Sequence, residues 1–220
     1  MYFFSKSENF SSKACPITDP MRNPTFKHER ELLDQGYRAI VGVDEAGCGA
    51  LAGPVVAGAV ILPLNSRIGR LHDSKLLTAN MRAKLYDVIR ERATAWAAGV
   101  VSVEEIHQMG IRPATLLAMR RAIEGIEGAD YALVDAHALP EINIPHRAII
   151  RGDQHVKSIA AASVIAKVTR DRMMQELHGN WPHYGFMQHK GYGTRRHQLA
   201  IRDYGPCPAH RLSFRTFKQK

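Results

Sequence analysis

Residues 39–62, reading AIVGVDEAGCGALAGPVVAGAVIL, constrain the fold more than any other stretch of the chain. Two apolar, β-prone runs flank a pair of acids and a group of glycines. The runs at 39–43 and 55–62 read as a buried strand and its hairpin partner. Asp44 and Glu45 stand where the first strand ends, and a charge beside a buried strand needs a partner or a metal. Gly47, Gly49 and Gly53 then allow a tight turn or a close backbone approach to a ligand. Read alone, the Asp-Glu pair is no more than an acidic strand end before a turn. The stretch is neither a dinucleotide nor a phosphate loop. Its glycines do not make G-x-G-x-x-G, no G-K-[ST] follows, and Pro54 leads into a second strand rather than a helix.

The remaining elements follow from local signals. Residues 1–24 are polar, Ser-rich and without a period, which reads as a disordered tail, with Met21 a candidate start of translation. A short helix covers 25–35, with Gly36 just past its end. After the hairpin, Asp73 and Ser74 make a turn before Lys75. Thr78 caps a helix to 92 whose apolar stripe is Met81, Leu85, Val88 and Ile89. A third strand covers 96–101, and Ser102 with Glu105 forms a capping box for a short helix. Pro113 opens the next helix, with Leu116, Met119, Ile123 and Ile126 as its buried face. Strands at 131–135 and 146–151 run into Asp135 and into Gly152-Asp153. A long helix covers 159–177 with Gly179 as its stop, and its small residues at 160–163 allow close packing. A last helix spans 194–204, stopped by Gly205-Pro206.

Charge narrows the class of partner. The net charge is +9, with 30 Lys/Arg against 21 Asp/Glu, and the pI is near 9.7. This favours a polyanion. The excess is uneven: residues 181–220 hold eight Lys/Arg and one acid, so +7 of the +9 lies there. Taken alone, that segment is equally a solvated basic face. The length of 220 residues suits one domain with an appendage. Cys15, Cys48 and Cys207 form no C-x-x-C and read as reduced thiols of a cytoplasmic protein. The longest apolar run, 50–64, is too short and too broken by Gly and Pro to span a bilayer, and no signal-peptide core is present.

Three strands or strand ends thus finish in acids: Asp44-Glu45, Asp135 and Asp153. Four carboxylates brought together repel unless cations sit between them. Oxygen donors without His or Cys suit Mg²⁺ or Mn²⁺, and the His and Cys residues lack zinc-ligand spacing. VGVDEAGCGALAGPVVAGAVIL resembles the opening signature of bacterial ribonuclease HII, in which a strand delivers an Asp-Glu pair followed by Gly-Arg-Gly. The resemblance continues through DSKLLT (73–78), LVDA (133–136), RGDQHVKSIAAASVIAKVTRDRMM (151–174) and YGFMQHKGYGTRRH (184–197) to HRLSF (210–214). It covers residues 26–217. The related ribonuclease HIII group fits less well, because it carries an extra N-terminal domain for which 220 residues leave no room.

The resemblance implies an α/β fold of the ribonuclease H type: a mixed five-stranded sheet flanked by helices in a catalytic domain at 25–178, with a basic, helical C-terminal extension at 179–220. It implies a monomeric, cytoplasmic endonuclease that does not engage membranes. Such an enzyme cleaves the RNA strand of RNA–DNA hybrids and nicks duplex DNA 5′ to embedded ribonucleotides, leaving 5′-phosphate and 3′-hydroxyl ends. The alternative on the same fold is a non-catalytic nucleic-acid-binding module. Asp44, Glu45, Asp135 and Asp153 match the family's metal-binding acids, with two ions about 3.5–4 Å apart. By this resemblance Asp44 would bridge both ions, Glu45 and Asp135 would hold the one near the leaving group, and Asp153 would hold the one that activates water. The Gly47-Cys48-Gly49 turn approaches the 2′-hydroxyl, and Tyr192 matches the tyrosine that stacks on the sugar beyond the scissile phosphate. Lys75, Ser163, Lys167 and Lys190 match positions near the substrate backbone. On the residues alone, Tyr192 is a half-buried loop tyrosine, Lys167 a solvated helix lysine, Ser163 a packing residue, and Asp171 a helix acid or ion-pair partner. Two departures stand out. Cys48 replaces the usual Arg and invites the idea of a redox switch. Asp135-Ala136-His137 replaces the frequent Asp-Gly-Asn, with His137 read as a surface histidine.

Overall fold

A computed structural model of the chain describes residues 23–69, 71 and 78–218. Nearly all of the expected tail at 1–24, and Lys75 with its turn, lie outside these residues. Five strands form one sheet: β1 (Ile40–Ala46), β2 (Val55–Ile61), β3 (Ala95–Val101), β4 (Tyr131–Asp135) and β5 (His146–Ile149). The helices are α1 (Lys27–Asp34), α2 (Ala79–Arg92), α3 (Val103–Met109), α4 (Ile111–Glu124), α5 (Gly152–His155), α6 (Lys157–Asn180), α7 (Phe186–His189), α8 (Arg195–Tyr204) and α9 (Arg215–Lys218). The strand order is β3-β2-β1-β4-β5. β1, β2 and β3 pair antiparallel, whereas β4 and β5 join in parallel. The expected mixed sheet with an antiparallel opening hairpin is therefore present.

Alternation along the strands sorts the two faces of the sheet. Val41, Val43, Ala57 and Ala59 pack with Ala118, Met119 and Ala122 of α4. Gly42, Gly58 and Val60 face α6, where Ala160, Ala161 and Ala162 are small enough to let the helix lie almost on the strands. A Cβ on Gly42 would fall 2.2 Å from the Ser158 carbonyl carbon, and one on Gly58 would fall 2.3 Å from the Ala162 oxygen. On the other face, one on Gly99 would lie 2.1 Å from the Ala118 oxygen. Strand glycines here mark contact between backbones.

Helix starts agree with their local signals. Thr78 accepts from the Met81 amide, Thr194 accepts from the His197 amide, and Ser102 and Glu105 form the reciprocal capping box. Each such cap stabilises by about 1 kcal/mol. α1 docks through Glu29, which is buried and accepts from both the amide and the hydroxyl of Ser158 in the first turn of α6.

Several boundaries differ from expectation. β1 continues to Ala46, so Asp44 and Glu45 sit within the strand, opposite Gly58 and Ala57. Pairing with β2 outlasts the apolar run because the hairpin partner continues beside it. β5 ends at Ile149 because Arg151 turns into the left-handed region (φ 55°). α6 runs through Gly179 to Asn180 and stops before Pro182. In α2, Tyr86 joins Leu85 and Ile89 in the core while Met81 is exposed. In α4, alanines 114, 118 and 122 take the sheet-facing stripe and Leu116 is only half-buried.

The C-terminal segment is built into the fold. Tyr184, Phe186, Ala200, Cys207 and Ala209 pack around Ala52 and Met174. Among the described residues, no helix is long and apolar enough to cross a membrane.

Candidate active site

Parallel pairing brings the acids together. Val43 lies opposite Val134, so the next residues, Asp44 and Asp135, are neighbours at the C-terminal ends of β1 and β4. That edge of an open α/β sheet is where ligand sites form. Asp135 Oδ1 accepts from the Gly152 amide at 2.6 Å, which ties the start of α5, and with it Asp153, to the end of β4. Asp44 lies on the α6 face. Glu45 alternates toward α4, where the Cys48 thiol stands 3.6 Å from Glu45 Oε1 and 3.1 Å from Thr115 Oγ1.

The electrostatics report the same convergence. Asp44 is buried, and its carboxyl is pushed well above the usual carboxylate range by burial first, then by Glu45, Asp135 and Asp153. Glu45 is raised by burial. The nearby His137 is the largest influence drawing it back, and Asp135 raises it further. Glu45 Oε2 is buried with no hydrogen-bond partner.

Among the described residues, no three His, Cys, Asp or Glu side chains already stand in a ligating arrangement. Asp44 Oδ1 accepts from the Glu45 amide at 2.7 Å. The donor set still fits a hard divalent ion. It offers carboxylate oxygens, an orphaned buried oxygen on Glu45, and a cluster whose mutual repulsion a cation would relieve.

A cavity of about 410 Å³ opens on these acids, lined by Asp44, Glu45 and Asp135, by residues 46–49, and by Ser163, Val164, Lys167, Tyr192 and Arg82. Asp153, also buried, acts on Asp44 electrostatically without lining the cavity. A second concavity, of about 380 Å³, lies beside α4 and residues 139–142. It is mainly apolar, and its acid, Glu141, is ion-paired with Arg120 at 2.6 Å. It lacks a comparable donor set.

Two fully buried arginines shape the glycine loop. Arg211 donates to the carbonyls of Gly47, Cys48, Gly53 and Pro54, and Arg170 to those of Ala52, Pro54 and Lys190. No peptide bond in the described chain is cis. In a trans peptide the carbonyl and the following N–H point in opposite directions. With the Gly47 and Cys48 carbonyls drawn inward to Arg211, the amides of Cys48 and Gly49 point outward, away from that guanidinium. The three expected glycines divide accordingly. A Cβ on Gly47 would lie 2.0 Å from Arg170 Nε and one on Gly53 2.2 Å from Met174 Sδ, and both residues have positive φ. These two serve internal packing. Gly49 faces open space.

The substrate-side residues are placed unevenly. Ser163 donates to the Ala160 carbonyl at the cavity wall. Lys167 is ion-paired with Asp171 at 2.7 Å and stands 5.6 Å above the Tyr192 ring, so Asp171 is an ion-pair partner. Lys190 donates to the Met187 carbonyl and does not line the cavity. Arg82 was invisible to sequence reading, since only the packing of α2 on α6 brings it to the cavity. His137 is half-buried beside Glu45 rather than a surface histidine. Ala136, where the family often has Gly, takes the left-handed conformation (φ 52°) that turns the chain there. The redox idea for Cys48 finds no support: burial and the Glu45 charge push its thiol up to about 11, away from the reactive thiolate.

The sequence matches the Ribonuclease HII family over residues 41–217. The ribonuclease HII of Acetivibrio thermocellus is 49% identical over 188 residues, covering 85% of this chain and 73% of that one. That of Acidovorax sp. (strain JS42) is 52% identical over 196 residues, covering 88% and 94%. The solved ribonuclease H2 of Pyrococcus horikoshii OT3 superposes with a TM-score of 0.68 at 26% identity, over 81% of this chain and 95% of that one. Likeness of this extent, on a sheet whose strands β1 and β4 carry Asp44, Glu45 and Asp135, leaves a single conclusion: the chain belongs to the ribonuclease HII family and is a metal-dependent ribonuclease H of type 2, an endonuclease.

Proposed function

We propose that this enzyme cleaves the RNA strand of RNA–DNA hybrids and nicks duplex DNA on the 5′ side of an embedded ribonucleotide, leaving 5′-phosphate and 3′-hydroxyl ends. The observation that carries this reading is the position of the acid cluster beside a loop whose Cys48 and Gly49 amides turn outward. A 2′-hydroxyl both donates and accepts, so outward backbone amides can recognise it whatever side chain residue 48 carries. This is why Cys48 is compatible with the reading.

Asp44, Glu45, Asp135 and Asp153 would hold the divalent ions, and oxygen-only ligation supports Mg²⁺ or Mn²⁺. When bound, a pair of such ions activates water for attack on phosphorus and stabilises the leaving 3′-oxygen. Gly49 leaves room for the sugar, and the Tyr192 ring packs against it. Lys167, Arg82 and Ser163 border the path of the backbone, and Lys190 and Lys75 remain further candidates for contact with it. Residues 25–178 form the catalytic domain, and 179–220 complete it through Arg211. The free thiols of Cys48 and Cys207 support a cytoplasmic setting. A module that only binds nucleic acid has no need of four gathered carboxylates.

The test is cleavage of a DNA duplex holding one ribonucleotide, beside an all-DNA duplex and an RNA–DNA hybrid, with Mg²⁺ or Mn²⁺. Wild type should nick 5′ to the ribonucleotide and spare all-DNA, and Asp44→Asn should lose about 10³-fold or more in rate. Cleavage confined to the long hybrid would remove the single-ribonucleotide reading. Unchanged activity in Asp44→Asn would remove the assignment of the site.

A further inference from the structure

The loop that carries Tyr192 is held from behind by a chain of histidines whose hydrogen bonds run in one consistent direction. The Cys207 amide donates to His210 Nδ1 at 2.9 Å. The Cys207 carbonyl and thiol stand further from the same nitrogen, each at 3.2 Å, and that carbonyl already accepts from the His210 amide at 2.9 Å. The tautomer is fixed from the other end: the Tyr192 carbonyl can only accept, so a neutral His197 donates from Nδ1 and accepts at Nε2, which puts the His210 proton on Nε2. His210 Nε2 therefore donates to His197 Nε2 at 3.0 Å, and His197 Nδ1 donates to the Tyr192 carbonyl at 3.0 Å. His197 and His210 are fully buried, and burial holds both to about 4, so both are neutral at physiological pH. His189 stacks on His197 with ring centroids 4.3 Å apart, accepts from the Gly191 amide and faces the Tyr184 carbonyl. The result is a one-directional relay from Cys207 to Tyr192.

The relay ends on the backbone of a residue whose ring stands over the acids' cavity, between Lys167 and Arg170 at 5.6 and 5.4 Å. The same backbone pairs with the glycine loop: Tyr192 bridges to Ala50, and the Leu51 amide donates to the Gly191 carbonyl at 2.8 Å. The Tyr192 carbonyl also accepts from the Thr194 amide at 2.8 Å. Losing the histidine donor thus leaves the loop closed and its carbonyl partnered, but frees its tilt. A stacking surface is sensitive to tilt, since a displacement near 1 Å can cost about a hundredfold in rate.

We propose that His210 and His197 are positioning residues for Tyr192, and that their relay sets the aim of its ring at the ribonucleotide sugar. The inference rests on the reading of Tyr192 as a substrate contact. Asparagine at 197 can reproduce the Nδ1 donor to Tyr192, whereas glutamine reaches toward His210 and abandons it. The experiment is a double-mutant cycle in the full chain, using kcat/KM on the single-ribonucleotide duplex with Mg²⁺. His197→Gln should lose about tenfold, His197→Asn should recover most of that, and the His197→Gln loss should vanish in a Tyr192→Ala background. Equal losses in both backgrounds would overturn the relay while leaving the Tyr192 reading intact. A silent Tyr192→Ala would overturn that reading and the proposal with it. If His197→Gln melts below the assay temperature, His210→Asn replaces it in the cycle, because it keeps the acceptor for Cys207 and loses only the donor to His197.

Discussion

Asp44 carries a cost that its neighbours impose. Burial and three nearby carboxylates raise its pKa, so ionising it in the folded protein is unfavourable. The sign follows from proton binding. A carboxyl raised in the folded state weakens the fold as pH climbs above its ordinary value of 3.8, and does not weaken it below. In EDTA at neutral pH, Asp44→Asn should therefore melt higher than wild type. About 1 kcal/mol corresponds to roughly 2–4 °C for a chain of this size. The gain should shrink as the pH falls toward 3.8 and vanish below it, where the acid is protonated in both states. Saturating Mg²⁺ should favour wild type over the variant, since only wild type keeps the full ligand set. A variant that melts lower than wild type in EDTA would contradict this account. The same scale explains Cys48, whose thiol is turned to Thr115 and Glu45 and raised to about 11, a polar packing group rather than a nucleophile.

At the scale of elements, the hairpin and α6 form the frame, and the strand glycines set how closely they meet. Gly58→Ala should cost about 1–3 kcal/mol in urea or thermal denaturation, because the added carbon meets the Ala162 backbone and not a movable side chain. Gly49→Ala should leave stability near wild type, since open space surrounds it. Equal stability of the two variants would mean that the close approach of α6 is not a constraint. Much of this frame was legible in the chain. Alternating and apolar runs located β1 to β4, and Thr78 and Ser102 marked helix starts through capping chemistry that is local. What was not legible is what depends on distant partners. Pairing with β2 carried β1 past its apolar run into the two acids. Packing of alanines, not of the larger Leu116, decided the face of α4. For the site, acids at strand ends were readable as candidates, but their convergence depends on the parallel pairing of β1 with β4, and periodicity does not encode that. Arg82 reaches the cavity only because α2 packs on α6, and the histidine relay joins positions thirteen residues apart.

At the scale of the molecule, the charge of +9 divides into two kinds. Arg170 and Arg211 are buried and hold the glycine loop through carbonyls, so their charge is part of the fold. Arg195 and Arg196, at the start of α8, are exposed and available to a polyanion. Salt dependence separates the two. With Asp44→Asn in the background to prevent cleavage, replacing Arg195 or Arg196 by Ala should reduce the log–log salt slope of hybrid binding by up to about one each. Melting temperature should stay unchanged. If the slope stays the same with both arginines removed, the basic segment is a solvated face and not a binding surface.

Arg211 reaches back across 164 positions to Gly47, so the loop beside the acids is tied down by a residue made long after it. A nascent chain emerges N-terminus first, and the strands that carry Asp44, Glu45 and Asp135 are synthesised long before this anchor. Until Arg211 has left the ribosome, the acids can gather but the loop beside them lacks its clamp. The order of synthesis thereby withholds the clamped loop until residue 211 has emerged, and a product truncated before it would carry Asp44, Glu45 and Asp135 beside an unclamped loop.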